Sequence, residues 1–310
     1  MSIPENISRR QFLKHGITFV AATMTIPSSR VLGSERVRLL THLKYPFGIT
    51  CTSSGKIIVA DAANYCIKIF MQDTRLESVF GSPGSAGAKL NYPQGVAVAD
   101  DIIYVVDSNN GRIAMFDMLG NFINDFGTIG GYPGAFYTPK GIFIYNDIIL
   151  VANTRNHTVY KFDKQSHNLL QSFGLLGDDP PVLNKGSYDY RFRLPVDIAV
   201  NAQGNIFVTD SKHNLVKVLS FTGEFISQFG GAGTGLGKFN RPEGIAIDSK
   251  QNIYVCDSLN KRVQRFSPDG MYMDQIDQGF TRPTGIFIDQ DDYVYVADTD
   301  SHIVKIFKWS

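Results

Sequence analysis

Three cysteines in 310 residues are too few for a disulfide framework, and an odd number cannot all pair internally. Cys51 and Cys66 fall on the first and third strands of one repeat, at opposite ends, so a bridge between them is not expected. Cys256 stands where other repeats have a small apolar residue and reads as a buried hydrophobe. Charge of one sign is lacking too. Lysine and arginine total 30 against 29 aspartate and glutamate, so any charged surface has to be a local one. There is no Gly-x-Ser-x-Gly, no phosphate loop and no Cys-x-x-Cys, which removes the signatures of a hydrolase elbow, a nucleotide cradle and a redox dithiol. Apolar runs are short, and the one from Gly16 to Ile26 is too brief to count as a permanent membrane span.

What the chain has instead is one pattern written six times. Each copy opens on Pro-x-Gly and an apolar run, turns, continues as a second apolar run ending in Asp, and adds further β-rich runs. The opening prolines are Pro46, Pro93, Pro139, Pro195, Pro242 and Pro283, spaced by 47, 46, 56, 47 and 41 residues. A period in the forties made of strands alone predicts an all-β propeller with one blade per copy. In the fifth copy the apolar run 244–248 suits an innermost strand covered on both faces, 252–257 a second strand, and the alternating 263–266 a third with one wetter face. The turn Pro268-Asp269-Gly270 then leads to an outermost strand over 271–276. The sixth copy has only three runs, at 285–289, 293–298 and 303–307. The lone run Arg36 to Thr41 is expected to pair with the last of them and close the ring, because an open edge invites aggregation.

Ahead of the repeats, Ser8-Arg9-Arg10-Gln11-Phe12-Leu13-Lys14 precedes the short apolar stretch. A charged segment followed by a brief apolar one is a targeting signal, and the paired Arg9 and Arg10 resemble the twin-arginine motif. That resemblance implies recognition by the twin-arginine translocase and a periplasmic or otherwise extracytoplasmic bacterial protein. Residues 1–33 are read as the signal and 34–310 as the propeller. No Ala-x-Ala site is present, so retention of the segment as a membrane anchor stays open alongside cleavage at Val31-Leu32-Gly33. Without residues 1–33, which carry Arg9, Arg10, Lys14, Arg30 and Glu5, the formal net charge moves from +1 to −2.

The fifth copy, Arg241-Pro-Glu-Gly-Ile-Ala-Ile-Asp248 with Asn252-Ile-Tyr-Val-Cys-Asp-Ser-Leu-Asn-Lys-Arg-Val-Gln264, resembles a nearly complete NHL repeat, and the likeness extends over roughly 36–308. It implies a six-bladed β-propeller. Three departures stand out: Asp197 in place of glycine, Asn153 in place of aspartate, and His213 where other copies have Asn. Some NHL-type propellers, the peptidyl-hydroxyglycine amidating lyases, are enzymes whose zinc is held by histidines near the Pro-x openings. Here those positions are Phe47, Gln94, Lys140, Val196, Glu243 and Thr284, so that zinc chemistry does not carry over and neither metal nor cofactor is expected. NHL proteins of the tripartite-motif type bind RNA, which an exported chain seldom meets. Nucleic acid is therefore not the expected partner.

Antiparallel connectivity puts the loops before Pro-x-Gly and those after the repeat Asp on one side of the ring, and this is the candidate face. The variable Gln94, Lys140 and Glu243 approach its centre, and basic loop residues including Arg155, Arg191, Arg193, Arg241 and Arg262 bias it toward anionic partners. The 174–194 loop, longer than the 12-residue loops at 81–92, 127–138 and 230–241, carries Tyr188 and Tyr190 among arginines and so offers recognition anchors. The repeat acids Asp61, Asp107, Asp210, Asp257 and Asp298 are read as turn formers that accept backbone N–H bonds, and His157, His213 and His302 as surface polar residues. The resulting expectation is a binding or scaffold propeller for a protein or an anionic cell-envelope ligand. The alternative is a lyase or lactonase-like hydrolase with Glu243 as acid/base or metal-binding carboxylate and Lys140 as its electrostatic partner in the central channel.

Overall fold

The computed structural model describes residues 37–174, 191–277 and 279–309. Six four-stranded antiparallel sheets form the six blades of a propeller, and five of them take their strands in sequence order. In blade one these are Pro46–Cys51, Ile57–Asp61, Cys66–Phe70 and Leu76–Phe80. The two middle strands are buried at every position, whereas the outermost is exposed at most. Alternate side chains point to opposite faces of a strand, and both faces of a blade are covered by its neighbours, so the middle strands read as unbroken apolar runs. The core is accordingly partitioned between blades. Ile58, Ala60 and Ile67 of blade one meet Val96, Ile103 and Phe116 of blade two, and equivalent clusters recur around the ring.

Blade six is completed by the amino-terminal strand. Arg38–Leu40 pairs antiparallel with Ile303–Lys308, placing Arg38 opposite Ile306 and Leu40 opposite Val304. Leu40 is fully buried and joins Leu43 in the cluster between blades six and one, so the seam is closed by burial as well as by the ladder.

Two further regularities hold the blades together. Three residues before each opening proline stands a buried apolar side chain: Leu43, Leu90, Phe136, Phe192, Phe239 and Phe280. Each is a plug between blades, of a size whose burial contributes about 1.5–3 kcal/mol. At the hub, adjacent inner strands approach backbone to backbone. A Cβ on Gly48 would collide with the carbonyl of Gln94, one on Gly95 with that of Lys140, one on Gly244 with that of Thr284, and one on Gly285 with that of Phe47. Asp197 is the exception to this ring of glycines. Its carboxylate accepts the Ile245 N–H of the next blade at 3.1 Å.

Candidate functional site

Strand pairing fixes which residues share the candidate face. Pro46 lies opposite Asp61, Pro93 opposite Asp107, Pro195 opposite Asp210, Pro242 opposite Asp257 and Pro283 opposite Asp298, so each opening and each repeat acid reach the same end of the ring. The acids are completely buried. One oxygen of each takes the N–H of the residue two before the proline, as Asp257 does from Asn240 at 2.7 Å, Asp210 from Arg193 at 2.7 Å and Asp107 from Asn91 at 2.7 Å. The other oxygen meets a buried cation five or seven residues on: Lys68, Arg112, Lys217, Arg262 or Lys305. That cation in turn donates to the carbonyl just before the plug, namely those of His42, Lys89, Arg191, Lys238 and Gly279. Blade three does the same work without charge. Asn153 accepts from the Tyr137 N–H at 2.7 Å and donates to the Ala135 carbonyl at 2.9 Å.

Arg262 is therefore not a loop-face ligand residue, contrary to the sequence expectation. It is 5% exposed, and its guanidinium is committed to Asp257, Gln275 and the carbonyls of Gly235 and Lys238. Arg112 is removed from the face in the same way by Asp107, Asp125 and two carbonyls. His157 is buried rather than at the surface, and it and His302 tie blades together by accepting the N–H of Leu194 at 3.0 Å and of Tyr45 at 3.2 Å. His213 Nδ1 sits 2.7 Å from Asp210. Among the described residues no three His, Cys, Asp or Glu side chains converge as a metal site.

The mouth of the channel keeps its polar residues. Lys140 lies with its ammonium 5.3 Å from the centre of the Phe47 ring. Burial holds that ammonium below the usual lysine range; Glu243 opposes the shift, and Arg282, Arg241 and Arg155 add to it. Glu243 is 3% exposed; one carboxylate oxygen takes the Arg282 guanidinium at 3.1 Å, and the other has no partner among the described residues. Gln94, 7% exposed, likewise keeps its carbonyl oxygen unpartnered, as does the Nε of Arg282. Lys140, Glu243, Arg241 and Arg155 are thus brought together. Arg241 and Arg155 are exposed, the latter 5.6 Å from the Tyr137 ring. Arg282, a basic loop residue just before the sixth opening proline, completes the cluster through Glu243. Arg193 is exposed at the blade-four opening, and the Arg191 carbonyl accepts from Lys217. Tyr188, Tyr190, Arg9 and Arg10 lie outside the described residues.

Below the mouth the inner strands enclose a cavity of about 350 Å³ walled by apolar residues such as Ile49, Val96, Ile142, Ile198, Ile245 and Ile286. The one ionisable carboxylate on that wall is Asp197, pushed up to about 7 by burial against the bonds from Ile245 and Ile198. With the folded-state value above the unfolded one, the unfolded chain binds fewer protons between about pH 4 and pH 7. Stability from this group is full below about pH 4 and falls as pH rises through 7. Asp197→Asn should flatten that part of the stability profile and gain on the order of 2–3 kcal/mol at pH 8, measured by denaturant unfolding across pH.

The comparisons agree with this architecture. A family profile described as a 6-bladed beta-propeller matches residues 196–308, and the NHL repeat profile matches 90–116. The chain carries NHL repeats in a six-bladed β-propeller. Protein brain tumor of Drosophila melanogaster is 29% identical over 119 residues, 34% of this chain and 11% of that protein. NHL repeat-containing protein 2 of Gallus gallus is 30% identical over 84 residues, 24% of this chain and 12% of that protein. The NHL chain thus spans only about a tenth of the length of these curated relatives. Among solved structures, a streptogramin B lyase superposes with a TM-score of 0.61 at 15% identity, covering 89% of this chain and 87% of that one. A Bacteroides thetaiotaomicron protein of unknown function gives 0.64 at 15% identity, covering 86% and 70%. A catalytically inactive virginiamycin B lyase from Staphylococcus aureus with quinupristin gives 0.60 at 14%, covering 88% of each chain. At such identities the likeness is one of fold.

Proposed function

We propose that this NHL propeller is a binding module that holds an anionic group of a protein or cell-envelope ligand at the centre of its loop face. The observation that carries the reading is the charge balance around Lys140, where Arg282, Arg241 and Arg155 outnumber Glu243, itself paired with Arg282 at 3.1 Å. Like charges gathered at a half-enclosed mouth are unfavourable alone and are relieved by an anion. In a panel of small carboxylates and inorganic phosphate screened by thermal shift at low salt, at least one should stabilise the full chain. The gain should shrink as salt rises and be lost in Lys140→Met. Stabilisation that is unchanged by Lys140→Met would place the anion elsewhere.

A second reading is favoured by the unpartnered oxygen of Glu243, which is free to accept a proton, and by the presence of lyases among proteins of similar fold. In it the same cluster is an active site with Glu243 as the base and Lys140 and Arg282 stabilising developing negative charge. Glu243→Gln separates the two, since turnover would vanish while capture of a purely anionic ligand would persist.

Export belongs to the same proposal. Arg9→Lys with Arg10→Lys should leave the protein in the cytoplasm, as seen by cell fractionation. Normal export of this double variant would refute the twin-arginine assignment.

A further inference from the structure

The polar atoms of the mouth are of two kinds, and an anion satisfies only one of them. Lys140 and the Nε of Arg282 offer donors. Gln94 Oε1 and Glu243 Oε2 are acceptors, each buried and without a hydrogen-bond partner among the described residues, on side chains only 7% and 3% exposed. A buried acceptor left unpaired is destabilising by about the desolvation of that group, so each of the two, on opposite sides of the mouth, stands as an unfilled requirement for a donor. Phosphate or a simple carboxylate would meet the cations but would set its lone pairs against these oxygens. The ligand that matches both halves carries an anion and a cationic donor side by side.

We propose, building on the reading of the mouth as an anion site, that the ligand group is an α-amino carboxylate, as in a free amino acid or its derivative. Its carboxylate meets Lys140 and Arg282, and its ammonium meets Glu243 Oε2. Lys140 is the movable member of the site. Its ammonium rests over the Phe47 ring rather than in an ion pair with any described carboxylate, and its four-carbon stem lets it swing to an arriving carboxylate.

The test is calorimetric titration of the full chain with the common amino acids, each beside its deaminated acid and its decarboxylated amine. At least one amino acid should bind, its matched acid about tenfold or more weaker and its amine below detection. Glu243→Gln should lower amino-acid affinity about tenfold while the matched acid binds at least as tightly, because the charge it removes repels a carboxylate. Acids that bind as tightly as amino acids, or a Glu243→Gln variant weakened equally for both, would overturn this inference and leave the anion site standing. Absence of binding by every acid and amino acid would overturn both.

Discussion

Asp257→Ala should lower the unfolding free energy by about 3–5 kcal/mol, read as a fall in the denaturant midpoint at unchanged slope. The carboxylate it removes is fully buried and takes four bonds: from the Asn240 N–H, Asn260, Arg262 and Gln264. Alanine leaves the Arg262 charge, itself 5% exposed, without its counterion, which is far costlier than losing a neutral turn bond. Blade three supplies the internal control. Asn153 replaces the acid, and Thr158 and Tyr160 occupy the places held in blade five by Arg262 and Gln264, so acid and cation have been given up together. Asn153→Asp should therefore be about as damaging as Asp257→Ala, because it buries a carboxylate against the Ala135 carbonyl with no cation to meet it. Arg241→Ala, at an exposed position, should stay within about 0.5 kcal/mol of the parent.

Gly285→Ala should cost about 3 kcal/mol or more, or prevent folding, because the added Cβ runs into the Phe47 carbonyl across the seam between blades six and one. The neighbour is backbone, so relief requires moving an inner strand of the ring. Gly131→Ala is the matched control, since a Cβ there meets only the far end of Asn156 at 4.0 Å. Equal melting temperatures for the two variants would refute the account of the hub.

Much of this was legible in the chain. Strand-length apolar runs and Pro-x-Gly openings are local signals, and they placed the blades and the closing strand because sheet pairing between adjacent runs needs little more than sequence order. The sequence places Arg262 on the loop face, and invites the same for Arg112, for a physical reason. They follow a turn and look like loop residues, yet they begin the strands Arg112–Asp117 and Arg262–Phe266, where the buried acid behind them sets their direction. The signal was present as a cation five or seven residues after each repeat acid and none after Asn153. Phe192, close to Tyr188 and Tyr190 in the chain, is instead marked as a plug, since an apolar residue stands three before every opening proline. Which mouth residues meet was not legible, because Gln94, Lys140, Glu243 and Arg282 come from different blades and converge only once the ring is closed.

The central claim is that this convergence is the binding site. It is tested most directly by a crystal structure of the full chain grown with the carboxylate or amino acid that stabilises it most. Ligand density should lie at the channel mouth, its carboxylate within hydrogen-bond distance of Lys140 and Arg282 and its remaining polar atoms facing Glu243. Density on the outer strands or on the opposite face, with Glu243 untouched, would contradict it.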